Sequence, residues 1–260
     1  MIPKIIHFCW LSGEKYPASI SRCLDSWRKL LPDYEIRLWD RQRFDIERTV
    51  WTKQAFDAKK YAFASDYIRL YALYTEGGIY LDSDVLVYKS FNNLLHLPYF
   101  IGEDYVHCFE PAIIGSEPGM PWIKQVLDRY DSLPFINDDG SYNMITLPVV
   151  FKNRLSDGYR FFKITQKAVY QFQEGVLNVF PFDFFKSRDY VGSKRFANSY
   201  CSHQYAGSWE KKQFGIKKVL KIITPRLFVN QFYSVVYKYL YKESIKQKQI
   251  PYCSQMVYYK

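Results

Sequence analysis

The chain has 260 residues, 48% hydrophobic and 24% charged, a balance that fits one large folded domain with at most an appendage and excludes a disordered protein. Aromatic residues reach 19%, with 24 Tyr and 20 Phe, amphipathic rings suited to sugars, nucleotides or interfaces. The net charge of +10 sits entirely in the last fifty residues, where eleven Lys/Arg between Lys211 and Lys260 face the single acid Glu243; a neutral body argues against the rival reading, a basic aromatic nucleic-acid-binding protein with its charge around a recognition face.

The five cysteines, Cys9, Cys23, Cys108, Cys201 and Cys253, are odd in number and show no CxxC spacing. They read as small buried apolar residues in a reducing compartment, without a zinc site or a disulfide framework. The N-terminal MIPKIIHFCWLSG has no apolar core followed by a cleavage site, so no signal peptide is expected. No window approaches eighteen uninterrupted apolar residues, so no membrane-spanning helix is expected either.

Residues 3–11, PKIIHFCWL, predict a buried first strand. Ile20, Leu24, Trp27 and Leu31 fall at helical spacing over 17–31, and Pro32 stops that helix. EIRLWD (35–40) alternates as a second strand, which makes strand–helix–strand, the opening of a parallel α/β sheet. One long helix is expected over 52–76, ended by Gly77-Gly78, and then a strand over 79–88, IYLDSDVLVY. PYFIGED and CFEPAIIG within 98–115 predict two more strands, and Pro121–Leu133 a helix with Pro in its first turn. Residues 134–200 read as short strands and loops, with VLNVFPF (176–182) strand-like; the body closes near Trp209.

Asp82-Ser83-Asp84 is the strongest local signal. Side chains two apart on an extended strand share a side, which would aim both carboxylates at one place. In an apolar strand such a pair calls for a cation, and hard oxygen ligands suit Mg²⁺ or Mn²⁺ on a diphosphate. The bland alternative is a solvated turn. Asp66 and Arg69, three apart on a helix flanked by Ala, Phe, Tyr, Ile and Leu, form either an exposed ion pair or a buried pair that serves a site. His203, in SHQYAGSW (202–209), is a weak signal alone.

Taken in order, IPKIIHFCW, SWRKLLPDYEIRLWD, KKYAFASDYIRLYALYTEGGIYLDSDV and SHQYAGSW resemble the DXD-containing glycosyltransferase family 32, which includes bacterial capsule and lipooligosaccharide sugar transferases and fungal mannosyltransferases. The resemblance covers residues 2–90 closely and returns at 203–209. It implies a GT-A fold, a Rossmann-like α/β/α sandwich over 1–210 with the donor at the carboxyl ends of the strands. It implies that Phe8 and Trp10 lie beside the nucleotide base, that Asp66 and Arg69 hold the donor sugar and its phosphate region, and that Asp82 and Asp84, with Ser83 between them, form the DXD element. His203 would complete a Mn²⁺ or Mg²⁺ shell, and Ser208 and Trp209 would close over the diphosphate. Gln204 stands where many relatives carry a second His.

The implied partners are a nucleotide-sugar donor and a glycan or lipid-linked saccharide acceptor. Residues 211–260, basic and aromatic, are expected to form a mostly helical extension on an anionic membrane surface, the cytoplasmic face of the cell membrane.

Overall fold

The computed structural model describes residues 1–104, 108–165, 170–187 and 198–204; the expected closing loop with Ser208 and Trp209, and the extension 211–260, lie outside the described residues. Strand β1 (Ile5–Cys9), helix α1 (Ala18–Leu30) and strand β2 (Glu35–Trp39) form as the sequence predicts, with β1 and β2 parallel. The apolar stripe of α1, Ile20, Leu24 and Trp27, is buried on one face of the sheet. Trp27 is fully buried, and its indole Nε1 donates to the Val85 carbonyl at 2.7 Å.

The long helix expected over 52–76 is two helices, α2 (Val50–Asp57) and α3 (Tyr61–Glu76). Lys59 breaks it by taking φ 55°, a left-handed conformation that no continuous α-helix admits, and its N–H bonds to the Phe56 carbonyl. A Thr49/Thr52 capping box starts α2. At the end of α3, Gly77 and Gly78 both have positive φ. A Cβ on Gly78 would meet the Ile5 carbonyl oxygen at 2.8 Å, so the turn that sends the chain back into the sheet beside β1 requires glycine.

β3 (Gly78–Leu81) then pairs parallel to β1. The strand expected over 79–88 ends at Leu81: Asp82–Asp84 is a turn, closed by the Val85 N–H on the Asp82 carbonyl at 2.9 Å, and β4 (Val85–Val87) belongs to a second sheet. Both strands expected within 98–115 are present, β5 (Tyr99–Glu103) and β6 (Phe109–Ser116), and α4 (Pro121–Asp131) follows with Pro121 at its start. The main sheet runs β2-β1-β3-β6-β5, with β6 antiparallel to both neighbours.

The 134–200 stretch holds α5 (Leu147–Leu155), β7 (Arg160–Lys163), β8 (Val176–Val179) and β9 (Phe185–Ser187). The helix α5 escaped the sequence reading because its opening LPVVF carries the β-branched residues of a strand. β10 (Cys201–His203) runs antiparallel to β4 and parallel to β9. A larger core cluster packs α2–α5 on one face of the sheet, and a second packs α1 on the other. This helix–sheet–helix layering is the Rossmann-like GT-A arrangement that the resemblance implies. Among the described residues the four cysteines form no disulfide, and Cys23, Cys108 and Cys201 are buried. No described helix is long and apolar enough to cross a membrane.

His7, fully buried in the inner strand β1, is fixed as a neutral imidazole. Its Nδ1 accepts from Trp39 Nε1 at 2.9 Å, so Nε2 carries the proton and donates to the Gly77 carbonyl at 2.7 Å. Burial pushes its pKa down from 6.5 to about 4, against the upward pull of that carbonyl and of Glu76. Because the unfolded chain binds this proton more readily, its contribution to stability is present above pH 6.5 and is lost as pH falls through about 4. The cost is at most about 1.4 kcal/mol per pH unit in that window. His7→Gln keeps one acceptor for Trp39 and one donor for Gly77 without the titration, so urea denaturation across the window should show a shallower loss than in the wild type.

Candidate active site

Each group of the candidate site reaches one edge of the main sheet by a simple route. Helix α3 runs back antiparallel to β3. Asp66 lies ten residues before the end of α3, about 15 Å of helix rise. From Gly78 to Asp82 the strand climbs about 13 Å. Asp66 and Arg69 therefore stand level with the carboxyl end of β3, where Asp82 begins the turn. β6 enters the sheet antiparallel at this same edge, and the Asp82 N–H donates to the Ala112 carbonyl at 2.9 Å. β10 lies beside β4 with His203 opposite Val85, which sets the imidazole next to Asp84.

The carboxylates converge for a different reason from the one the strand reading supplied. A pleat does not aim them; the Asp82–Asp84 turn does, aided by the Gln204 N–H on the Asp84 carbonyl at 3.1 Å. One donor atom each from Asp82, Asp84 and His203 lies within 4.8 Å of the others. His203 Nε2 is 3.3 Å from Asp84 Oδ1 and 4.0 Å from Asp82 Oδ2. Two carboxylate oxygens and an imidazole nitrogen are a donor set that could hold a divalent cation, and the residues present fit the ion that the sequence implies.

Arg69 is the charge that organises the other half. It is 4% exposed, and its guanidinium lies 3.1 Å from Asp66 Oδ1 and 3.2 Å from Asp82 Oδ1. It also donates to the Pro111 carbonyl at 2.8 Å and stacks over the Tyr80 ring, 4.7 Å from the centroid. Tyr80 in turn donates its hydroxyl to Asp82 Oδ1 at 3.1 Å. Of the two readings open for Asp66 and Arg69 in the sequence, the buried pair is the one realised.

Burial raises the Asp66 carboxyl to about 7, with Arg69 pulling it down and Asp82 pushing it further up. Burial also raises Asp82, partly offset by Arg69 and His203. For His203, burial disfavours the charged ring, but Glu110 and Asp84 outweigh it and hold the pKa well above 6.5.

The aromatic residues expected beside a base divide. Phe8 is a core residue, edge-on to Trp27 at 5.5 Å. Trp10 is only partly buried, just past the end of β1; its Nε1 donates to the Glu14 carbonyl at 2.7 Å and its ring meets Tyr16 edge-on at 5.0 Å. Ser83 occupies the acidic turn, partly buried. A surface groove of about 450 Å³ along α4, lined by Tyr74, Pro121, Lys124, Asp128 and Arg154, holds none of these groups. Two residues of the cluster went unread in the sequence, Tyr80 and Glu110. Tyr80 is two positions before Asp82 in an apolar strand, and Glu110 is the lone acid in CFEPAIIG, a pattern that itself signals a buried charge.

Residues 17–101 match the family profile described as "Glycosyltransferase sugar-binding region containing DXD motif". Over that segment the chain is similar to the DXD-containing glycosyltransferases. It is 32% identical over 141 residues, 52% of the chain, to inositol phosphoceramide mannosyltransferase 3 of Schizosaccharomyces pombe, and covers 38% of that protein. To mannosyl phosphorylinositol ceramide synthase SUR1 of Saccharomyces cerevisiae it is 27% identical over 165 residues, 58% of the chain and 42% of the relative. The chain thus spans about two fifths of the length of these curated relatives. Among solved structures it is similar to the PaToxG glycosyltransferase, with a TM-score of 0.46, 21% identity, and coverage of 60% of this chain and 69% of that one. The profile takes in Asp66, Arg69 and the DXD turn but stops before Glu110 and His203.

Arg69 neutralises two largely desolvated carboxylates, so its loss should cost more than its own contacts. Arg69→Met is expected to lower folding stability by about 3–5 kcal/mol, the usual cost of leaving a buried charge unpaired. Adding Asp66→Asn should restore part of it, as read by denaturant titration of the single and double variants.

Proposed function

We propose that this chain transfers a hexose from a nucleotide-sugar donor to a glycan or lipid-linked saccharide acceptor, with retention of anomeric configuration, in the synthesis of surface polysaccharide. The observation that carries the reading is the convergence of Asp82, Asp84 and His203 within 4.8 Å beside the Arg69 guanidinium. Rupture of a sugar–phosphate bond leaves negative charge on the diphosphate, and this corner of the sheet gathers the groups that would stabilise it. The family match supports the same reaction class.

Asp82, Asp84 and His203 would hold Mn²⁺ or Mg²⁺, which supplies Lewis-acid neutralisation of the diphosphate. Arg69 adds a fixed positive charge that needs no reorganisation, because Asp66, Asp82 and the Pro111 carbonyl hold it in place. Asp66 holds a donor-sugar hydroxyl and sets the attack geometry. Trp10 offers a partly exposed ring beside the base, Ser83 a polar group at the ribose, and Ser208 and Trp209 a closing loop. UDP-sugars and GDP-mannose are the candidate donors, and the mannosyltransferase names of the fungal relatives support including the latter.

Asp84→Ala should lower transfer or donor hydrolysis at least about 100-fold, the scale of removing one preorganised electrostatic group. Chelator should do the same in the wild type, and Mn²⁺ should restore it. A thermal-shift panel of UDP-galactose, UDP-glucose, UDP-N-acetylglucosamine and GDP-mannose with Mn²⁺ identifies the donor. Full activity of Asp84→Ala, or stabilisation by an oligonucleotide and by no nucleotide sugar, would refute the reading.

The basic extension gives a second, separable proposal: it holds the enzyme on the inner face of an anionic membrane, near a lipid-linked acceptor. Its support is sequence pattern alone, Phe214, Ile216, Val219, Leu220, Ile222 and Ile223 with Lys217, Lys218 and Lys221 between them. Flotation with anionic vesicles should be strong for the full chain and lost on truncation after Lys212, with neutral vesicles weaker throughout. Equal flotation of both forms, or of neither, would exclude an anchor in this segment.

A further inference from the structure

The mechanism above gives no task to the buried Glu110. Glu110, near the start of β6, is 3% exposed. An ionised carboxylate in such a place is costly unless something fixes and uses it. One of its oxygens, Oε1, accepts from the Ala112 N–H at 3.2 Å, and the same atom lies 3.3 Å from Nδ1 of His203. On the other side of the ring, Nε2 is 3.3 Å from Asp84 Oδ1. The imidazole thus lies between Glu110 and the acidic turn, one nitrogen toward each.

A histidine ligates a metal through one unprotonated nitrogen, and the partner of the other nitrogen decides which one that is. Here Nε2 faces the acidic pair, so ligation through Nε2 requires the proton on Nδ1, the nitrogen that Glu110 addresses. We propose that Glu110 is a positioning residue of the metal site: it accepts the Nδ1–H of His203, leaves Nε2 as the nitrogen that faces the cation, and holds the ring plane through its own bond to Ala112. The role suits an element rigidly set in the sheet. β6 is clamped between β3 and β5, whereas His203 sits on a three-residue strand that takes its place from its neighbours. Glu110 acts through His203 and does not itself touch the ion. The inference rests on the reading of Asp82, Asp84 and His203 as metal ligands.

The test is Mn²⁺ binding by the full chain, followed by electron paramagnetic resonance of the free ion, for wild type, Asp84→Ala, His203→Ala, Glu110→Gln and His203→Ala/Glu110→Gln. Outer carboxylate partners of metal-bound histidines are typically worth 10–100-fold in metal affinity, and a loss of about that size is expected for Glu110→Gln. In the His203→Ala background the same change should move affinity by no more than about twofold, since the residue it acts through is gone. A merely structural role would lower the metal-free melting temperature and weaken binding alike in both backgrounds. Wild-type Mn²⁺ affinity in Glu110→Gln overturns the proposal, as does an undiminished loss in the double variant, which would make Glu110 a direct ligand or a packing residue. If Glu110→Gln fails to fold, Glu110→Asp, which keeps the charge and shortens its reach, is put through the same cycle. Unchanged binding by Asp84→Ala refutes the metal site itself, a result distinguishable from failure of Glu110 alone.

Discussion

A guanidinium in the wall between helix and sheet is the constraint on which the rest of this site depends. Asp66 and Asp82 approach the same nitrogen of Arg69 from two different elements. Without that cation, two carboxylates at the edge of an apolar sheet would repel each other and demand water that the packing excludes. With it, they become the fixed inner boundary of a polar corner. The Tyr80 ring under the guanidinium and the Pro111 carbonyl beside it leave Arg69 little freedom, so its charge is oriented before any ligand arrives.

Much of this was legible from the sequence because it obeys local rules. The apolar run of β1, the helical stripe of α1 and the alternation of β2 each carry their own periodicity, and the structure follows them to within a residue or two. The pairing of Asp66 with Arg69 was legible as well, because three residues on a helix bring side chains together whatever surrounds them. Asp82 and Asp84 converge as the sequence suggests, through a turn and not a pleat. A short apolar run looks the same whether it is one strand or two strands of different sheets joined at a bend.

What escaped the sequence is what the tertiary structure decides. A single backbone conformation at Lys59 divides α2 from α3, and nothing about a lysine announces positive φ. α5 is helical because its apolar side chains are needed in the core against α4, which overrides the strand preference of its valines. Glu110 and Tyr80 belong to the site by virtue of which strands lie beside β3, a fact of sheet order that no local window contains.

The acidic turn and the histidine that faces it are separated by about 120 residues of chain, and β10 joins β4 only after everything between has been laid down. The corner where they meet is thus among the most non-local features of the described residues. During synthesis from the N-terminus, the segment that matches the glycosyltransferase profile leaves the ribosome long before His203 exists. For that interval its aspartates have Arg69 as their compensation and no imidazole. Bringing the two together closes a long loop at a cost in chain entropy, so the corner stands only as firmly as the pairing of β10 with β4.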